Sequence, residues 1–337
     1  MTTAARLRLV SVFIAGLLGS ACDTTEEPEV ESADLRGEEL DARCEYLVRC
    51  GFMPDRDTCL ASQDPDEGLV QAVGATSFDR VGYDTEAAAI WLDTLRNLSC
   101  ENTVANARAI EDARAAVFAG RIETNGACFS DEECAGEAIC ERSACPGNQV
   151  CCTGECLPVR TLTVGETCPL PQDGVRMRAF CEDTAYCQVP PDDGSENPPT
   201  EGTCVARVDN GLPCDALGGC LDGQRCDLGG SGNCYRLSAS GDMCNPDLQR
   251  GSCLSVNEVC NGQCVAAPGP GEACVQGQCA GYATCMEDTC VALLRQGEAC
   301  DGSVPCLGDL ACRNDVCTPQ DIVLVCVDGS PPPPPME

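Results

Sequence analysis

Gly271-Glu-Ala-Cys274-Val-Gln-Gly-Gln-Cys279-Ala-Gly-Tyr-Ala-Thr-Cys285-Met-Glu-Asp-Thr-Cys290 is the stretch on which the fold turns. It carries four cysteines and few large apolar side chains. So short a segment cannot bury enough apolar surface to fold alone, so cross-links must stand in for a core. Working outward, the same kind of unit recurs six times between Cys128 and Cys317. Four units carry Cys168/Cys181/Cys187/Cys204, Cys214/Cys220/Cys226/Cys234, Cys244/Cys253/Cys260/Cys264 and Cys300/Cys306/Cys312/Cys317. The first is longer, with Cys128, Cys134, Cys140, Cys145, Cys151, Cys152 and Cys156. Gly165, Gly241, Gly271 and Gly297 each stand three places before a first cysteine, which suits a turn needing positive φ. Four cysteines allow three connectivities, and spacing alone leaves all three open. The expected fold class is a small disulfide-rich repeat array of short two-stranded units, preceded by a small all-α helical head. Units that touch only their neighbours should stack into an elongated array.

Composition narrows the function. The chain has 337 residues, 33 of them cysteine, no histidine, and 21 basic residues that are all arginine. Without histidine there is no Ser-His or Cys-His nucleophile pair and no His-ligated zinc. Without lysine there is no Schiff base and no phosphate-loop lysine. That removes much of the catalytic repertoire; paired carboxylates stay open as a distant alternative that needs a rigid cleft. A net charge of −33 argues against nucleic acid as a partner. It also keeps the chain soluble and self-repelling.

No cofactor is expected, and no metal. The chain contains neither Cys-x-Cys nor Cys-x-x-Cys, the spacings that a metal buffer, a thioredoxin-type pair or an iron–sulfur site would use. Asp64-Pro-Asp66-Glu67-Gly68 and Asp192-Asp193-Gly194 do not complete a calcium loop and read as solvated turn acids.

Residues 1–21 read as an export signal: Arg6 and Arg8, the apolar run Leu9–Leu18, then Gly19-Ser20-Ala21. The run is too short to span a bilayer. Leu18-Gly19-Ser20-Ala21-Cys22 resembles a lipobox, whose cysteine becomes the lipidated first residue, although Gly19 stands where a larger apolar residue is usual. Setting Cys22 aside leaves an even number of cysteines. Residues 22–37 form an acidic tether. The expected location is the cell envelope, lipid-anchored at the outer membrane or a periplasmic face, or secretion if Cys22 is not lipidated.

Residues 38–124 are Ala-rich, with helical spacing over Glu38–Cys50, Asp55–Ser62, Asp84–Leu98 and Asn102–Ala119. A compact four-helix head with Trp91 at its centre follows. Cys44, Cys50, Cys59 and Cys100 should tie it with two bridges. Cys44 and Cys50 lie about 120° apart around a helix and so point to different partners.

Cys128-Phe-Ser-Asp-Glu-Glu-Cys134, Cys140, the Cys151-Cys152 doublet and Cys156 resemble the N-terminal cysteine-rich module of the Dickkopf proteins, over residues 125–160. The likeness implies a similar local fold and not Wnt antagonism. The five four-cysteine units in 161–320 resemble EB- and EGF-like modules. The whole chain resembles the cysteine-rich lipoproteins of myxobacterial type. In such modules a crossed pattern is common, first cysteine to third and second to fourth. That implies Cys214–Cys226, Cys220–Cys234, Cys244–Cys260, Cys253–Cys264, Cys274–Cys285, Cys279–Cys290, Cys300–Cys312 and Cys306–Cys317.

Residues 321–337 hold an apolar strand, Ile322–Val327, and a polyproline tail, Pro331–Pro335. Cys326 is left over and is expected to pair back to the first unit or the head. The resulting expectation is a non-enzymatic binding, adhesion or structural module. It would be held to the membrane by its lipid and would meet a protein or glycan at the cell surface. A secreted inhibitor or toxin-like effector is the alternative.

Overall fold

The computed structural model describes residues 29–64, 66–142, 152–170, 178–190, 199–214, 218–246, 248, 252–319 and 326. The signal segment, Cys22, Cys145, Cys151, Asp192–Gly194 and the proline tail lie outside them, as does the strand expected over Ile322–Val327 apart from Cys326.

The head has five helices: α1 Leu35–Arg49, α2 Arg56–Ser62, α3 Glu67–Thr76, α4 Thr85–Asn97 and α5 Val104–Val117. Four start on a side-chain cap that satisfies an otherwise orphaned N–H. Asp55 accepts from Thr58 N (2.7 Å), Asp66 from Leu69 N (2.7 Å), Asp84 from Ala87 N (2.9 Å) and Thr103 from Asn106 N (3.2 Å). A short antiparallel pair, β1 Val81–Tyr83 with β2 Phe118–Gly120, clips α4 and α5 together. Trp91 is buried in a core with Leu35, Leu69, Ala72, Leu92, Leu95, Val117 and Phe118. Bridges Cys44–Cys59 and Cys50–Cys100 tie α1 to α2 and to the segment before α5.

The helix α3 departs from the four expected. Gly68 and Gly74 weaken its intrinsic propensity. Its Asp66 cap and the burial of Leu69, Ala72 and Ala75 on one face make it helical nonetheless. Asp66 is therefore a capping residue, not a solvated turn acid.

The array follows, and its six units share one backbone frame. A left-handed residue opens each unit: Asn125, Gly165, Gly211, Gly241, Gly271 and Gly297, with φ between 66° and 93°. Its N–H donates to the carbonyl of the fourth cysteine at 2.7–2.9 Å, and that cysteine's N–H returns to the next residue's carbonyl at 2.8–2.9 Å. The residue three places earlier makes a parallel bridge to the second cysteine: Ile122 to Cys134, Leu162 to Cys181, Val208 to Cys220, Ser238 to Cys253 and Leu294 to Cys306. In the fifth unit Pro268 holds that place; lacking an N–H, it only accepts, from Ala280 N at 2.9 Å. The third and fourth cysteines face each other across an antiparallel pair.

Within this frame the bridges run first to third and second to fourth. They are Cys168–Cys187, Cys181–Cys204, Cys214–Cys226, Cys220–Cys234, Cys244–Cys260 and Cys253–Cys264, then Cys274–Cys285, Cys279–Cys290, Cys300–Cys312 and Cys306–Cys317. The first unit has the same frame, with Cys128–Cys140 and Cys134–Cys156. Its three additional cysteines fall between its third and fourth frame cysteines. Cys152 and Cys326 are disulfide-bonded as well. Most units are two-stranded, but the first two each carry a three-stranded sheet.

The array does not extend away from the head; it wraps it. Arg80 of the head pairs with Glu133 of the first unit, and Arg108 of α5 with Asp183 of the second. The third unit caps α5 through Asp222 (2.8 Å to Val104 N). The fourth adds a bridge, Ser255 to Glu101, flanked by Asn102 N to Leu254 O and Val256 N to Cys100 O, both 2.9 Å. Tyr282 of the fifth and Leu307 of the sixth pack against Cys44, Met53 and Cys59. Units that could not bury apolar surface among themselves find it on the helices.

Candidate binding surface

Chemistry-bearing side chains collect along the seam between head and array. Its tightest point is Glu133, fully buried on a 3-10 turn, Asp131–Glu133. Arg80 donates to its Oε2 from Nε (2.9 Å) and Nη2 (2.6 Å), Phe129 N donates at 3.0 Å, and Gln71 Nε2 reaches Oε1 at 3.2 Å. The Arg80 guanidinium also lies over the Phe129 ring, 5.2 Å from its centre. Gln71 then clamps Cys326 from both sides, accepting from its N–H (2.8 Å) and donating to its carbonyl (2.7 Å). Cys326 packs on Phe129. Cys326 is thus seated where the first unit meets α3, close to the beginning of the array.

A second charged cluster joins α1, α3 and α5. Arg114 binds Asp66 (3.1 and 3.2 Å) and Glu132 (2.9 Å). Burial alone would push the Asp66 carboxyl up, but the Arg114 hydrogen bonds and charge outweigh it and hold it below the ordinary range. Burial would lower Arg114, yet Asp66 and Glu132 hold it above. Glu39 is the opposite case. Burial pushes its carboxyl up against the nearby Arg43, and its Oε2 has no hydrogen-bond partner among the described residues.

Among the clefts along the seam, two border α5. One, of about 500 Å³, lies between α5 with β2 and the 3-10 turn of the first unit, walled by Phe118, Ala115, Glu111 and Asp131. The other, of about 530 Å³, lies between the N-terminal end of α5 and the third unit, walled by Val104, Arg207, Leu221, Asp222, Gln224 and Arg225. No sequence signal marks the second cleft, because Val104 and Asp222 are 118 positions apart.

In each of several units three sulfurs lie within 4.8 Å, as at Cys128, Cys134 and Cys156. All are oxidised, and a disulfide sulfur lacks the thiolate charge that binds metal. Among the described residues no helix is long and apolar enough to cross a membrane. No protein-family model, curated protein or solved structure matches the chain. The disulfide-rich build is that of an extracellular or envelope protein.

Proposed function

We propose that the protein is a lipid-anchored envelope lipoprotein, acylated at Cys22, that acts without catalysis as a surface binding module. One observation carries this reading: a constant frame holding variable intervals. Six units repeat the same clamp, yet the interval from first to second cysteine runs from four residues (Cys274–Cys279) to twelve (Cys168–Cys181). The interval from third to fourth runs from three (Cys260–Cys264) to sixteen (Cys187–Cys204). Rigid scaffolds with divergent loops are how repeat proteins present contact surface. The helical head turns a chain of units into one fixed platform, so loops from different units hold set positions relative to one another. An acidic segment between Cys22 and α1 would stand that platform off the membrane.

The test is an intact mass on protein extracted from membranes, alkylated before and after reduction. A diacylglyceryl mass on Cys22, no thiols before reduction and thirty-two after support the anchored scaffold. An unlipidated chain recovered from the medium sinks the anchored form. Cross-linking on intact envelopes, compared between the native chain and variants shortened in the Cys168–Cys181 or Cys187–Cys204 interval, reads the binding role. A cross-link pattern indifferent to every loop counts against it.

A further inference from the structure

The bridges are not equally covered. Among those with both ends described, Cys274–Cys285 alone has no buried cysteine; every other has at least one. Thiol–disulfide exchange makes two demands. The attacking thiolate must reach one sulfur from outside, and the displaced sulfur must leave as a thiolate. Apolar burial raises a thiol's pKa and makes it a poor leaving group. Cys312 shows the difference: it is exposed, but its partner Cys300 is buried with Leu310 and Cys317. Only Cys274–Cys285 offers water to both of its sulfur-bearing residues.

Its two sulfurs are also unlike. Cys274 Sγ lies 3.7 Å from Cys279 Sγ, and the sulfurs of Cys274, Cys279 and Cys290 are all within 4.8 Å of one another. The neighbouring bridge, Cys279–Cys290, therefore crowds Cys274 and leaves Cys285 as the outer sulfur. Cys285 stands on the strand Ala283–Met286, beside the exposed hairpin tip Glu287-Asp288. With a net charge of −33 on the chain, that tip attracts a cationic thiol and repels an anionic one.

The same bridge helps to hold the unit on the head. Between the second and third cysteines, Gly281 sits against Phe52 and its N–H donates to Asn257 Oδ1 at 3.2 Å, while Tyr282 packs beside Met53 and Cys59. Cys279 anchors this seat at one end and Cys285 at the other.

We propose that Cys274–Cys285 is a thiol-exchange site, at which a small cationic thiol adds to Cys285 and loosens the unit's seat on α1 and α2. The incoming thiolate attacks Cys285 Sγ. The new sulfur–sulfur bond forms as the Cys274–Cys285 bond breaks, and Cys274 leaves as a thiolate that takes a proton from water. One disulfide replaces another, so no oxidant or reductant is consumed. Attack of the Cys274 thiolate on the mixed disulfide at Cys285 expels the small thiol and reseals the bridge.

The experiment exposes the native, disulfide-intact protein to dilute cysteamine and blocks free thiols with N-ethylmaleimide at successive times. Tandem mass spectrometry then locates both labels. Cysteamine should appear first on Cys285, with maleimide on Cys274, at least about tenfold faster than at any other bridge. In that singly modified protein the amides of 280–284 should lose hydrogen-exchange protection while α4 and α5 keep theirs. Cys274→Ser combined with Cys285→Ser should abolish the early uptake; the mapping on the native chain decides the matter if this variant folds poorly. First addition at Cys312 or any other cysteine, opening of all bridges together, unchanged protection at 280–284, or the same early uptake in the double variant overturns the assignment. Lipidation of Cys22 and the contact loops are read by other measurements, so the surface-binding reading stands or fails separately.

Discussion

The head and the units reach order by opposite routes. The head has an apolar core around Trp91 and needs only two bridges across five helices. A unit such as Gly271–Cys290 has almost no core; two bridges and a backbone clamp hold it. In the head, side-chain packing decides the fold and cross-links trim the unfolded ensemble. In a unit, the cross-links replace packing. The fifth and sixth units also borrow the head's apolar surface, through Tyr282 and Leu307.

The largest effect expected from this contrast comes from stripping one unit of its bridges. Each loop of eleven residues in the fifth unit is worth about 3 kcal/mol in the chain-entropy model, so replacing Cys274, Cys279, Cys285 and Cys290 by serine costs about 6 kcal/mol locally. Hydrogen exchange should show amides of 271–292 deprotected while α4 and α5 stay protected. Melting of the whole head in the same variant would show that the two regions are one cooperative block.

The converse change acts on the head. Trp91→Ala removes the largest side chain of its core and should cost about 3–5 kcal/mol. Deprotection should spread across α1, α4 and α5, while the sixth unit keeps both bridges and its clamp. Exchange confined to α4 would contradict a shared core.

A smaller effect should come from the surface joining the regions. A Cβ on Gly281 would come within 2.8 Å of Phe52 Cα and 3.1 Å of its carbonyl oxygen, backbone atoms that cannot swing aside. Gly281→Ala should cost about 1–3 kcal/mol, lowering the melting temperature with every disulfide intact. Gly218→Ala, with open space around its Cβ, should stay within about 0.5 kcal/mol of the native chain. Equal melts for the two would mean the fifth unit does not depend on its seat on α1–α2.

What the sequence made legible divides along the same line. Cysteine periodicity exposed the units, and helical spacing exposed α1, α2, α4 and α5, because both are local signals. The helix α3 escaped because its two glycines argue against it and its cap and burial argue for it only in three dimensions. The elongated array was the natural inference from units that resemble solenoid repeats. It fails because Asp222, Ser255, Leu307 and Asp309 are complementary to the head, and a pairing between chain positions 62 and 309 leaves no mark on composition. The first unit was legible as one of the six, but its extra cysteines masked which four make the common bridges. Asn125 in the place that glycine holds elsewhere hid the shared frame further, although asparagine tolerates the left-handed conformation.

The finest probe of the contrast is pH, because two carboxylates of the head are perturbed in opposite senses. Burial raises Glu39 above 4.5, so the native state favours its protonated form. Stability from that preference is complete below the unfolded value and is lost as pH rises through the folded one. Asp66 is held below 3.8 in the folded state, so its contribution is present above that value and is lost as pH falls through the lowered one. Melting of the head between pH 3 and pH 7 should therefore pass through a shallow optimum near the crossover. Glu39→Gln should flatten the upper limb and raise the melting temperature at pH 7, because the amide carries no charge to desolvate. Asp66→Asn should flatten the lower limb and reduce stability at pH 7, since Arg114 loses one of its two charged partners and keeps only Glu132. The bridges of the units do not titrate, so exchange rates within 271–290, corrected for the intrinsic effect of pH, should hold steady across the range. If the units follow the limbs of the head, their order depends on the head's core after all.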